Sequence, residues 1–286
     1  MIREKVQNRN AASVRRRRFG FVFSQIRAFV ARVRSSETSA AGRASRLPLP
    51  RDLGAAFGML TPLPFERQDI RRSDTAPAML FFPVVGGLIG LVLMAGNLVI
   101  ATHLSPLVGA VVLVALWEAV SAGPAVRAYQ PAATAGAQIA RRGDGARETT
   151  TLTRLLLVAI LVAKVTLLAI YVTGRPAALL FAPLLARWAM VVLAVGVRDA
   201  AAPSRKLNAS ITFREFALTS VLTCAVVFTV ADAFGILLVV GVAALTLVLR
   251  LWYHHRSRGA DWRRLLASAE LVELLVVAIA GAVGGR

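Results

Sequence analysis

Five ionisable residues, Glu118, Lys164, Arg187, Glu270 and Glu273, stand inside long apolar stretches of this 286-residue chain. A charge at depth in a bilayer is expensive, so each is expected to face the interior of a helix bundle and to be paired. Arg187 is the eleventh of 21 residues in its stretch, Ala177–Val197, and Pro183 precedes it by four. A proline there frees a carbonyl and bends the helix, which can open a polar pocket beside the guanidinium. Glu270 and Glu273 are three apart and so share one helix face, near the cytoplasmic end of their span. Two kinds of chemistry fit these residues. One is interhelical ion pairing, such as Arg187 or Lys164 with Glu118. The other is a substrate-phosphate or ion site at the cytoplasmic mouth, with Arg187, Glu270 and Glu273 as substrate-binding residues.

The remaining reactive side chains point to less. Cys224 is the only cysteine and lies in an apolar segment. This leaves no disulfide framework and no Cys/His metal site. His103, His254 and His255 fall at stretch ends, where an interfacial polar role is the expectation.

The elements that must position these groups are membrane spans. The chain is 57% hydrophobic, too apolar for an ordinary soluble domain of this length. Its apolar stretches recur at the length a bilayer core requires. The expected spans are Met79–Thr102, Leu107–Gly123, Leu155–Thr173, Ala177–Val197, Phe216–Ala231, Ala233–Leu251 and Leu265–Val283. The fold class is therefore all-α, a polytopic helical membrane protein with about seven transmembrane helices.

The loops alternate in charge. Arg127, Arg141, Arg142, Arg147 and Arg154 lie in Pro124–Arg154; Arg198, Arg205, Lys206 and Arg214 lie in Arg198–Glu215; Arg256, Arg258, Arg263 and Arg264 lie in the loop from His254. The Thr102–Pro106 loop and the Asp232 turn carry no Lys or Arg, and the Gly174–Pro176 turn carries only Arg175. The positive-inside rule then places the N-terminus in the cytoplasm and the C-terminus outside, with the long polar loops on the inner face. The inner (cytoplasmic) membrane of a cell is the expected location.

The net charge of +19 has a separate source. Residues 1–51 hold thirteen Lys or Arg against Glu4 and Glu37, and include the block Arg15-Arg16-Arg17-Arg18. A basic segment before a membrane span reads as cytoplasmic retention and contact with anionic lipid; no nucleic-acid partner is expected. Phe19–Val30 suits a short amphipathic helix on the membrane surface. It makes a poor signal peptide, because Gln25 and Arg27 interrupt its apolar run. Ser35–Pro50 reads as a flexible linker. The chain thus divides into a basic cytoplasmic segment, 1–52, and a membrane domain, 53–286.

Several local patterns point to one family. Gly58-Met-Leu-Thr-Pro-Leu-Pro64 is followed by Phe81-Phe-Pro-Val-Val-Gly-Gly-Leu-Ile-Gly90. Later come Lys164 in an apolar helix, Ala186-Arg187-Trp188-Ala189-Met190, and Ala267-Ser-Ala-Glu-Leu-Val-Glu-Leu274. In order and spacing these resemble the cobalamin synthase family, the adenosylcobinamide-GDP ribazoletransferases, from about residue 53 to the end. The resemblance implies a membrane transferase of the final step of cobalamin nucleotide-loop assembly, using Mg²⁺ when active. It also makes cobalamin-assembly proteins candidate partners.

The departures from the family pattern concern the acids. After the second span the family carries an acid-rich signature with a histidine; here the same place, Ser121–Gly136, holds no acid and no histidine. Pro62 stands where the family has an arginine. In the second signature only Asp144 and Glu148 remain as candidate catalytic acids, beside Arg141 and Arg142 as candidate substrate-binding residues. Asp144 and Asp261 are the candidate metal ligands, both out of register with the pattern. Carboxylates holding Mg²⁺ neutralise charge developing on a transferring phosphate, and the loss of several weakens that chemistry. Three readings follow: a transferase with weakened or altered activity, a non-catalytic membrane scaffold or partner subunit with no cofactor, and a small-molecule transporter. The absence of a visible inverted repeat weighs against the last.

Overall fold

The computed structural model describes residues 50–62, 75–121, 145–195, 213–256 and 262–284. All lie within the compact unit Leu47–Arg286. The tetra-arginine block, the Phe19–Val30 stretch, Arg141, Arg142, Asp144 and Asp261 fall outside the described residues.

Every regular element among the described residues is helical. In chain order these are α1 (Pro50–Leu60), α2 (Thr75–Met79), α3 (Phe82–His103), α4 (Pro106–Val120), α5 (Gly145–Ile170), α6 (Arg175–Ala194), α7 (Phe213–Arg256) and α8 (Trp262–Gly284). The starts of three of them follow one local rule. α3, α4 and α6 each carry proline in the first two positions, where the missing N–H would have no partner and the fixed φ suits the helix. The two-residue link Leu104–Ser105 then joins α3 and α4, and the Leu104 N–H closes the end of α3 on the Ile100 carbonyl at 3.0 Å.

Among the described residues, the seven expected spans correspond to seven apolar helical segments, with one correction. The expected turn at Asp232 is present: it breaks α7 with φ 46° and ψ −133°. Gly235 lies so close to Val227 that a Cβ on it would be 3.0 Å from the Val227 carbonyl oxygen. In an unbroken helix those residues would be about 12 Å apart, so the chain turns back at Asp232 and the two halves are separate spans. The correction is at α5, which begins at Gly145, ten residues before the expected span. Glu148 therefore lies in the first turn of a helix rather than in a loop. Pro77–His103, Arg175–Ala194, Phe216–Tyr253 and Arg264–Val283 are long and apolar enough to cross a membrane, while Pro106–Val120 and Val158–Ile170 are shorter apolar helices. The protein is a polytopic helical membrane protein.

Helix α6 is the centre of the bundle. It packs most extensively against α3 and α8, and also against α7, while α4 packs on α5. Every residue from Phe181 to Val191 in α6 is buried. Close packing on α3 comes from the glycines of Phe81–Gly90. A Cβ on Gly86 would meet the Pro183 carbonyl oxygen at 2.5 Å and Arg187 Cγ at 2.9 Å, and one on Gly90 would meet the Leu180 carbonyl oxygen at 2.5 Å. No side chain fits those gaps, so the small-residue face at 86 and 90 lets the two backbones meet. The polar pocket expected beside Pro183 and Arg187 does not open on this side, because α3 fills the space.

Two arginines close helix ends. Arg175 donates from Nε and Nη2 to the Leu168 carbonyl of α5 (2.9 and 2.6 Å) and from Nη2 to the Pro106 carbonyl at the start of α4 (3.2 Å). Arg250 of α7 donates to the Val192 and Val195 carbonyls at the end of α6 (2.9 and 2.8 Å). The last carbonyls of a helix, such as Leu168, Val192 and Val195, lack intrahelical partners, and a cation satisfies them well; the contact to Pro106 ties the start of α4 to the same guanidinium as Leu168.

Candidate functional site

The site is a buried ion cluster built by four helices. Glu270 and Glu273 project from one face of α8, as their three-residue spacing requires. Lys164 comes from α5, Arg187 from α6, and Glu118 from α4. Lys164 Nζ donates to Glu270 Oε2 at 2.7 Å and to Glu273 Oε2 at 2.6 Å. The other oxygen of Glu273, Oε1, accepts from Arg187 Nη1 at 3.0 Å. Glu118 Oε1 lies 3.8 Å from Lys164 Nζ. The ammonium also sits 4.8 Å from the centroid of the Trp117 ring, where the negative π-face attracts it.

Lys164, Glu270 and Glu273 are fully buried, and Arg187 is 1% exposed. Neither pair of charges is stable alone at this depth. Together, two cations face two carboxylates through short, charge-assisted hydrogen bonds. The two glutamates are not equivalent. Glu273 uses both oxygens, one on each cation. Glu270 uses only Oε2, and its Oε1 has no hydrogen-bond partner; the same holds for Arg187 Nε.

The candidate site residues thus divide. Arg187, Glu270 and Glu273 are brought together. Glu148 lies on α5, and Arg141, Arg142, Asp144 and Asp261 are outside the described residues. Interhelical ion pairing, such as Lys164 or Arg187 with Glu118, was one expected arrangement. Lys164 does lie at ion-pair distance from Glu118, while the shorter contacts of both cations go to α8. Sequence reasoning did not single out Trp117, Arg175 or Arg250. Arg175 carried the one available signal, as a lone cation in a turn expected on the outer face; its bonds to Leu168 and Pro106 account for it.

Mg²⁺ does not fit this cluster. Lys164 Nζ occupies the position between the two carboxylates that a divalent ion would take, and Arg187 adds a second positive charge. Among the described residues no group of three or more His, Cys, Asp or Glu is arranged to hold a metal ion.

The fold and cluster define a class: an integral membrane protein of packed helices whose central helices are joined by buried ion pairs. Within that class, residues 52–124 match the family model described as CobS, cobalamin-5-phosphate synthase, which supports membership of the cobalamin synthase family over that part of the chain. The matched part runs from α1 through α4 and contains Gly58–Pro64 and Phe81–Gly90; Ala186–Met190 and Ala267–Leu274 lie beyond it. No curated protein and no solved structure matches the chain.

Proposed function

We propose that this protein is a divergent cobalamin-synthase-type membrane protein of the last step of cobalamin nucleotide-loop assembly, with weakened or lost Mg²⁺-dependent ribazoletransferase activity. The observation that carries this reading is the extent of the family match. It covers α1–α4 and stops at residue 124, where the sequence enters the stretch Ser121–Gly136 that lacks the family's acids. The helices that build the scaffold are retained up to the point where the metal-binding carboxylates should begin. Asp144 and Glu148, with Asp261, are then the acids left for Mg²⁺, and Arg141 and Arg142 are cations suited to a phosphate.

A second reading, a non-catalytic scaffold or partner subunit in the inner membrane, is favoured by the ion cluster. Lys164, Arg187, Glu270 and Glu273 spend their charge on one another, which suits architecture better than turnover. Expression in a strain lacking its own cobalamin synthase separates the two. Rescue of cobalamin-dependent growth that is lost in Asp144→Ala supports the transferase and the choice of acid. Protein present in the membrane at normal level without rescue overturns the transferase and leaves the scaffold.

A further inference from the structure

We propose that the ion cluster has a role in membrane assembly: Lys164 and Arg187, delivered by earlier helices, are what hold the last span, α8, across the bilayer. Four observations carry this. Glu270 and Glu273 both lie inside the apolar stretch Arg264–Val283 of α8, with relative exposure of 0%. Their only cation partners among the described residues, Lys164 and Arg187, are on α5 and α6, which are made before α8. The contacts join residues 106, 109 and 86 positions apart in the chain, so no local feature of α8 neutralises its own acids. Finally, α8 packs against α6 and α5, the two helices that supply the cations.

The physical argument is one of partition. A span with two ionised glutamates at depth is penalised in lipid, whereas the same span against an ammonium and a guanidinium is not. Removing one side of a buried pair leaves the other uncompensated. Removing both sides and replacing them with apolar groups of similar size is often neutral. The cluster therefore couples the topology of the C-terminal span to the presence of the two cations, whatever the protein's reaction.

The test uses the full chain with Cys224→Ser and a single cysteine appended after Arg286. Labelling by a membrane-impermeant thiol reagent from the outer face is read in a pulse and normalised to total chain. The parent is labelled. Lys164→Met with Arg187→Met lowers labelling at least about tenfold, since two carboxylates are left unpaired in the membrane. Adding Glu270→Met and Glu273→Met to those changes restores labelling to within about twofold of the parent. An unlabelled parent, undiminished labelling in the double variant, or no restoration in the quadruple variant would each overturn the proposal.

Discussion

Helices α6 and α7 make opposite use of the same apolar residue types. In α6, 83% of the span's most apolar stretch is buried in the protein; in α7 the figure is 28%, although α7 is the more apolar of the two. In a water-soluble fold the order would be reversed. Here lipid is as good a solvent for Leu and Val as a protein core is, so an apolar side chain gains little by leaving it. The interior is reserved for what lipid cannot serve: Arg187, the carbonyls around Pro183, and the charges of α5 and α8. Large side chains such as Leu218, Val221, Ile236, Leu237 and Val240 on α7 point outward, as a lipid-facing hairpin requires. α7 is held by a few polar ties instead. These are Trp188 Nε1 to Ser220 Oγ at 3.1 Å, Arg250 to the end of α6, and Tyr253 Oη to the Arg264 carbonyl at 3.1 Å.

Five substitutions would break or sharpen this contrast. The largest effect is expected at Glu273→Leu, which strands Arg187 and removes one of the two short bonds to Lys164. A loss of about 3–5 kcal/mol is expected, read by reversible denaturant titration in detergent. Glu270→Leu should cost less, because Lys164 keeps Glu273; equal losses would contradict the division between the two acids. Next comes Gly90→Ala, which forces a methyl against the Leu180 carbonyl and should cost about 1–3 kcal/mol in the same titration.

The fourth substitution acts in the peripheral region and has the opposite sign. Asp232 holds a positive φ that glycine adopts without strain, so Asp232→Gly should raise stability by about 1 kcal/mol. No gain would mean that the turn is not strained. The smallest change is expected for Leu237→Ala on the lipid-facing surface, within about 0.5 kcal/mol of the parent. A loss as large as that of Gly90→Ala would show that α7 is packed against protein rather than lipid.

Much of the fold was legible because insertion is a property of each segment. The runs near 79–102, 177–197 and 265–283 are long enough to cross on their own, and the break at Asp232 was readable as a cation-free turn between two apolar stretches. The start of α5 was missed, since Gly145–Arg154 is polar and its helix extends beyond the apolar run that identified the span. The candidate site was half legible. Depth and cost marked Glu118, Lys164, Arg187, Glu270 and Glu273 as paired, and the three-residue spacing put the two α8 acids on one face. The partners were only partly readable: Glu118, the acid expected for Lys164, lies 3.8 Å from it, but the short contacts go to residues 106 and 109 positions away.

By itself the sequence determined which segments enter the membrane, which residues there must be neutralised, and that Gly86 and Gly90 present a face without side chains. Each is a balance between one segment and the bilayer, set by its own composition. Only the tertiary structure decided that the glycine face closes on Pro183 and Arg187, that Lys164 stands between two glutamates where a metal ion would otherwise sit, and that α6 rather than the more apolar α7 is central. Those outcomes depend on pairs of helices far apart in the chain. Lipid accepts any apolar surface equally, so hydropathy alone cannot rank the partners; shape at the glycines and charge at the cluster do.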